Sequence, residues 1–205
     1  MKWQINKIQY PVYNLGQNKR IGIWVQGCSL HCNDCINQTL WANEGGESVD
    51  VLDLFNWLLL NAEAFDGITI TGGEPFEQYD QLIAFLHLVK TKTRLDVCCF
   101  SGYYLHELYS KYPDKKFTKY IDYLIDGRFT EKLNDNENAN GSSNQTIYKF
   151  VNEIPYNEET NKFSTKWSLK VDENCKIYIS DITKIGELDK LSLAIEEQET
   201  QKIFN

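Results

Sequence analysis

The chain has 205 residues, 42% hydrophobic and 13% aromatic, which suits one domain with a sizeable core and room for an appendage. Its net charge of −8 argues against a nucleic-acid binder, because phosphates want a basic face, and leaves small molecules and protein partners open. No apolar run approaches the roughly 20 residues of a membrane helix, and stretches such as WLLL at 57–60 stay short.

The N-terminus, MKWQINKIQY, lacks the apolar stretch of a secretory signal, so the expected compartment is the cytoplasm, where structural disulfides are rare. RIGIWVQGC (20–28) is β-branched and aromatic, ends in glycine, and predicts a strand that delivers Cys28 to a loop. SVDVLDLFNWLLLNAEAF (48–65) predicts a helix with Ser48 as its cap and Val51, Leu54, Phe55, Leu58 and Leu59 on one face. GITITGGEP (67–75) predicts a strand closed by a double glycine, and EQYDQLIAFLHLVKTK (77–92) an amphipathic helix. RLDVCCFSGY (94–103) is a third strand and turn, LHELYSKY (105–112) a short helix, and YIDYLIDGRF (120–129) a fourth strand. The polar, Asn-rich segment 131–145 reads as a loop, TIYKFV (146–151) and CKIYIS (175–180) as later strands, and roughly 187–200 as a helix.

Strand then helix, repeated, indicates βαβ units and a parallel sheet with helices outside, an α/β fold. In such folds ligands bind at the carboxyl ends of the strands. The distinctive residues fall there: the cysteine loop after the first strand, Gly-Gly-Glu-Pro after the second, Ser-Gly-Tyr after the third and Asp-Gly-Arg after the fourth.

Cys28, Cys32 and Cys35 crowd one short loop, GCSLHCNDCIN (27–37). Thiolates suit zinc, copper(I) and iron–sulfur clusters. A closed zinc site wants four ligands, and His31, bonded in sequence to Cys32, is poorly placed as the fourth. A cluster held by four cysteines would need Cys98, Cys99 or Cys175. With three, one metal position stays open for a ligand. Cys98 and Cys99 alternate faces of a strand and, with Cys175, also read as buried core thiols. His31, His87 and His106 show no partner that marks a base, and AIEEQE near the C-terminus reads as a solvated helix face.

The C-x3-C-x2-C spacing of Cys28, Cys32 and Cys35 resembles the signature of the radical S-adenosylmethionine enzymes, and Gly72-Gly73-Glu74-Pro75 resembles their second motif. The chain is most similar to the small activating enzymes of glycyl-radical enzymes, above all the activases of anaerobic ribonucleotide reductase. The matching stretches are WVQGCSLHCNDCINQTLW (24–41), ITGGEP (70–75), FSGYYLHEL (100–108), LIDGRF (124–129) and GSSNQ (141–145). The sequence departs from the activases at YNLGQNKR (13–20), where they carry an Asp-Gly-Pro-Gly-like stretch. It departs from the wider family at Asp34, where an aromatic residue often stands, and residues beyond about 150 match nothing.

The resemblance implies an open, partial (β/α) barrel over 1–150, with 151–205 as an extension packed on or completing it. It implies a 4Fe-4S cluster on Cys28, Cys32 and Cys35 whose open iron chelates S-adenosylmethionine. The cofactor contacts it implies are Asp34, Ile36, Asn37, Thr71, Gly72, Gly73, Glu74, Pro75, Ser101, Gly102, Asp126 and Arg128, with Glu74 on the methionine ammonium, the Ile36 backbone at the adenine and Ser101–Gly102 at the ribose. Asn37 and Trp41 fit the activase pattern, and Ser142, Ser143, Asn144 and Gln145 form either a cofactor or partner loop or a polar linker. The implied reaction is reductive cleavage of S-adenosylmethionine to a 5′-deoxyadenosyl radical that takes a hydrogen atom from a backbone glycine of a partner enzyme. Flavodoxin or ferredoxin would supply the electron, since the chain has cysteines for one cluster only. No nucleic acid, membrane or side-chain acid/base catalyst is implied. Two alternatives stand beside this reading: a radical enzyme acting on another peptide or a small molecule, and a non-catalytic metal-binding or electron-transfer module that binds no S-adenosylmethionine.

Overall fold

The computed structural model describes residues 1–134 and 141–158, and the backbone of 167–171 and 177–181. Its strands are β1 (Lys2–Val12), β2 (Arg20–Val25), β3 (Glu47–Asp50), β4 (Gly67–Gly72), β5 (Asp96–Phe100), β6 (Tyr123–Asp126), β7 (Thr146–Val151), β8 (Ile154–Asn157), β9 (Trp167–Val171) and β10 (Ile177–Asp181). Its helices are α1 (Val51–Asn61), α2 (Tyr79–Lys92) and α3 (Leu105–Lys111). Eight strands form one sheet in the order β3-β1-β2-β4-β5-β6-β7-β8, and β9 and β10 pair separately.

The sheet is mixed rather than parallel throughout. β2, β4, β5 and β6 run parallel, with helices in their crossovers. β1 pairs antiparallel with β2 and β3, and β7 antiparallel with β6 and β8. The physical reason is connection length and type: no helix lies between β1 and β2 or between β7 and β8, and a short return folds only an antiparallel neighbour. β1 was not picked out in the sequence as a strand, because the alternation begun by Trp3 and Ile5 breaks at Asn6–Lys7, where its pairing with β2 also shifts register. β7 continues to Val151 and β8 follows in the same sheet, so the fold runs through residue 150.

α1 begins three residues later than its sequence signal. Residues 47–50 extend the sheet, and Asp50 rather than Ser48 caps the helix, accepting the Leu52 N–H at 2.9 Å. α2 also starts late, because Pro75–Gln78 first make a 3-10 turn. The expected strand at 146–151 is present, and the one at 175–180 is met by β10 from Ile177. Cys175 and the helix expected over 187–200 lie outside the described residues.

One face of the sheet buries Ile21, Ile23, Ile68, Ile70, Val97, Cys99 and Leu124 against α1, α2 and α3. The opposite face carries Val12, Leu15, Trp24, Phe100, Cys98, Ile125 and Ile147. Cys98 and Cys99 therefore do alternate faces, and both are buried. On that second face Arg20, almost fully buried, reaches Thr69 Oγ1 at 2.8 Å and the Ile68 carbonyl at 2.6 Å and pairs with Asp96, fixing β2, β4 and β5 at their starts. The strand ends that carry function are thus held from both the core and the base.

Candidate functional site

The loops after β2, β4, β5 and β6 meet, as the sequence implies, and the bonds joining them can be followed one by one. The loop after β4 is zipped onto the loop after β2: Gly73 N–H donates to the Val25 carbonyl and Glu74 N–H to the Gly27 carbonyl, both at 2.8 Å. This explains the double glycine. A Cβ on Gly73 would stand 2.1 Å from the Gly27 oxygen, and Gly72 has φ +107 with Val25 backbone 2.5 Å from where its Cβ would be. The close approach is therefore made to the chain's own backbone.

Glu74 ties that pair of loops to the third. Its carboxylate is 1% exposed. Oε1 accepts Phe76 N–H at 3.0 Å and Ser101 Oγ–H at 2.9 Å, and Oε2 accepts Gly102 N–H at 2.7 Å. Burial outweighs these bonds and pushes the carboxyl up to about 7. The side chain of Glu74 is thus spent within the chain, and Gly102 packs against Leu30 of the cysteine loop.

The fourth loop is organised by Asp126 and Arg128. Asp126, 2% exposed, accepts Leu105 N–H at 2.6 Å at the start of α3 and Thr146 N–H at 3.2 Å. Arg128 makes a two-pronged pair with Glu107, at 3.0 and 3.2 Å, and lies over the Tyr104 ring at 5.6 Å. It is close enough to Cys32 for each to shift the other's proton affinity. The GSSNQ segment braces this loop: Asn144 Nδ2 donates to the Arg128 carbonyl at 2.7 Å, Gln145 Nε2 to the Gly127 carbonyl at 2.9 Å, and Ser142 Oγ accepts Thr130 N–H. The loop closes back on the cysteines where Asp34 accepts Glu131 N–H at 3.1 Å.

Cys28, Cys32 and Cys35 are half-buried on their loop, with the backbone turned so that Cys35 N–H meets the Cys32 carbonyl. Burial pushes the Cys28 thiol up to about 11 and raises Cys32, so without metal both hold their protons at neutral pH. Among the described residues no three His, Cys, Asp or Glu side chains group around one ion-sized position. Three separate thiols fit a cubane better than a mononuclear ion, since each takes its own iron. Ile36 is 43% exposed beside them and Asn37 opens a short 3-10 turn, Gln38–Leu40. Thr71 and Pro75 flank the glycines, Thr71 beside Trp24 in the sheet and Pro75 buried.

Three residues that sequence reading passed over do much of the holding. Glu77 accepts both Ser29 N–H and Ser29 Oγ–H, next to Cys28, and Tyr103 O–H at 3.2 Å. Buried Gln26 donates to the Ala42 and Glu44 carbonyls at 2.6 and 3.0 Å, shaping the return from the cysteine loop. Glu107 aims Arg128. Their only sequence signal was polar identity at a strand end or a helix start.

A half-buried loop with three thiols at the strand ends of an α/β sheet, backed by a glycine cradle, has the donor set of an iron–sulfur site. The family described as "4Fe-4S single cluster domain" matches residues 15–148. The anaerobic ribonucleoside-triphosphate reductase-activating protein of Haemophilus influenzae is 31% identical over 156 residues, 71% of this chain and 99% of that protein. The protein of the same name from Enterobacteria phage T4 is 25% identical over 139 residues, covering 65% and 85%. The pyruvate formate-lyase-activating enzyme of Listeria monocytogenes is 35% identical over 95 residues, 42% of this chain and 38% of that enzyme. The chain belongs to this single-cluster 4Fe-4S family, among the radical S-adenosylmethionine activating enzymes. The resemblance drawn from its motifs is borne out over nearly the same stretch. Among the described residues no helix is long and apolar enough to cross a membrane.

Proposed function

We propose that the protein activates a glycyl-radical enzyme of the anaerobic ribonucleotide reductase kind, by removing a hydrogen atom from a backbone glycine of that partner. The observation that carries this is the joining of all four strand-end loops around three cysteines with no fourth among them. When bound, a reduced 4Fe-4S cluster and S-adenosylmethionine supply a 5′-deoxyadenosyl radical, and the difficult chemistry is theirs.

The chain's own residues bind and place. Cys28, Cys32 and Cys35 hold the cluster after losing their protons, so assembly is easier as pH rises. The backbone of Thr71–Pro75 faces the methionine ammonium, and Glu74 sets its course by fixing Ser101 and Gly102, which lie toward the ribose. Arg128 offers a permanent cation and planar fork to the cofactor carboxylate, with Asp126 holding its loop. Asp34 and Asn37 shape the cysteine loop, and exposed Ile36 presents its backbone to the adenine. The sheet face turned away from the helices is the interior of an open, partial barrel, with residues 1–150 as its core and the remainder joined to it. A flavodoxin or ferredoxin is the electron donor.

The test is anaerobic reconstitution with iron and sulfide, reduction, addition of S-adenosylmethionine and measurement of 5′-deoxyadenosine, with Cys32→Ala as control. Cysteine-dependent release is expected. A fully loaded cluster that neither binds nor cleaves S-adenosylmethionine would leave an electron carrier or binding module instead.

A further inference from the structure

Glu77 places a carboxylate one residue away from Cys28. It stands on the 3-10 turn Pro75–Gln78, and that turn is fastened by Gln78, whose Oε1 accepts Gln4 N–H at 2.8 Å and whose Nε2 donates to the Gln26 carbonyl at 3.0 Å. From this anchored position both oxygens of Glu77 accept the Ser29 N–H, at 3.1 and 3.0 Å. Oε1 also accepts Ser29 Oγ–H and Tyr103 O–H. Ser29 directly follows Cys28.

The donors of the cysteine loop are thus divided. Cys28 N–H goes to the Trp41 carbonyl and Cys35 N–H to the Cys32 carbonyl, both at 3.1 Å. Leu30 and His31 N–H act on the Cys28 sulfur. Ser29 has both its donors drawn off by a charged side chain of another loop. That charge reaches Cys28: burial is the main reason its thiol is raised, and the charges of Glu74 and Glu77 add to it. Glu74 is an incomplete charge at neutral pH, since its carboxyl lies near 7. Of the cations nearby, Arg128 acts on Cys32 but is forked to Glu107. Lys111 is linked to Glu77 through Tyr103, to whose hydroxyl it donates at 2.9 Å.

We propose that Glu77 is a positioning residue that keeps the cluster on Cys28, Cys32 and Cys35 strongly reducing. It fixes a negative charge beside the cluster and withdraws the Ser29 N–H and O–H from the cluster's sulfurs. Both effects act in one direction. The potential of such a cluster is set by net charge, by hydrogen bonds to its sulfurs and by exposure, and an added electron is disfavoured by a nearby anion and by lost donors. The couple is a single electron taken from the external donor and held on the cluster; at Glu77 no bond forms or breaks and no proton moves. The inference rests on the cluster site of the function proposed above, where one-electron cleavage of a sulfonium calls for a strong reductant.

The test is a reductive titration of the reconstituted protein followed by electron paramagnetic resonance, without S-adenosylmethionine, with iron content measured alongside. Glu77→Ala would remove the grip on Ser29 together with the charge. Glu77→Gln separates the two, because it keeps Oε1, the oxygen that all three donors share. At a fixed solution potential its ratio of reduced to oxidised cluster should rise about tenfold, the effect of one unit charge several ångströms away in a partly exposed site. For a one-electron couple that is about 59 mV. Glu77→Asp keeps the charge and should stay within about threefold of wild type, while Lys111→Met removes an opposing charge and should lower the ratio about twofold. An unchanged ratio in Glu77→Gln, or an equal shift in Glu77→Asp, overturns the assignment and leaves Glu77 a staple for Ser29. If Glu77→Gln loads too little iron to titrate, Lys111→Met decides: a lowered ratio upholds the assignment, and an unchanged or raised one overturns it. Wild-type protein that takes up iron without forming a reducible 4Fe-4S cluster overturns the cluster reading itself, and the Glu77 assignment with it.

Discussion

Glu74 makes the stability of this protein depend on pH in a direction unusual for a hydrogen-bonded carboxylate. Three donors favour its ionised form, but complete burial prevails and its carboxyl lies near 7 against an ordinary 4.5. An acid whose folded-state affinity for the proton is raised binds more protons folded than unfolded between those two values. Stability from this group is therefore whole below about pH 4.5 and is lost as pH rises to about 7, after which nothing more changes. The full span is about 3 kcal/mol, at 1.36 kcal/mol for each unit of displacement. Between about pH 5.5 and 8.5, roughly 2 kcal/mol of it falls within reach of urea denaturation of the reduced, metal-free chain. Glu74→Gln removes the titration. Its amide still accepts from Phe76 and Ser101 but turns an N–H₂ toward Gly102 N–H, so the variant begins with a penalty of about 1–3 kcal/mol that does not vary with pH. The expected result is that the variant's deficit against wild type shrinks by about 2 kcal/mol from pH 5.5 to 8.5. A deficit that stays constant across this range would show that Glu74 titrates no higher than an ordinary carboxyl, and that its hydrogen bonds at least balance its burial.

Other substitutions test other joints. Gly73→Ala puts a Cβ 2.1 Å from the Gly27 carbonyl, so the cysteine loop must move; a loss of about 3 kcal/mol or more is expected, with a matching fall in iron bound on reconstitution. Asp126→Asn keeps one acceptor and turns a donor on the other N–H; about 1–2 kcal/mol should be lost in urea, and the Leu105 amide should lose hydrogen-exchange protection first. Gln9 is buried on β1 with neither amide atom hydrogen-bonded among the described residues, so Gln9→Leu should stabilise the chain by about 1–2 kcal/mol; a lower melting temperature would show that the amide has a partner.

What the sequence disclosed divides along a physical line. Residues whose chemistry is rare stood out wherever they fell: three cysteines at close spacing, Gly72-Gly73-Glu74-Pro75, Asp126-Gly127-Arg128. The strands bearing them were legible too, because β2, β4, β5 and β6 are buried on both faces and read as continuous apolar or β-branched runs. The antiparallel strands were harder to see. β1 and β8 lie toward the sheet's margins, are half-solvated, and mix lysine, glutamine and asparagine with their apolar residues. Partners were the least visible. Nothing in the order of letters says that Glu74 turns inward to Ser101 and Gly102, or that Asp34 reaches Glu131 nearly a hundred residues away. Such bonds exist only once the sheet has set its register.

That division bears on how the site works. The residues with legible chemistry lie on loops, and loops are held only as well as their bonds allow. Here one buried carboxylate joins the second loop to the third, a backbone zipper joins the first to the second, and Asp34 joins the fourth back to the first. The closed circuit, completed by Asp126 between the third loop and the fourth, means that no loop can shift without straining its neighbours, which is what the proposed reaction would demand of its site. It also means that residues such as Glu77 and Asp126 need touch no ligand to matter. Their substitution should displace the cysteines or Arg128 as surely as a direct change would.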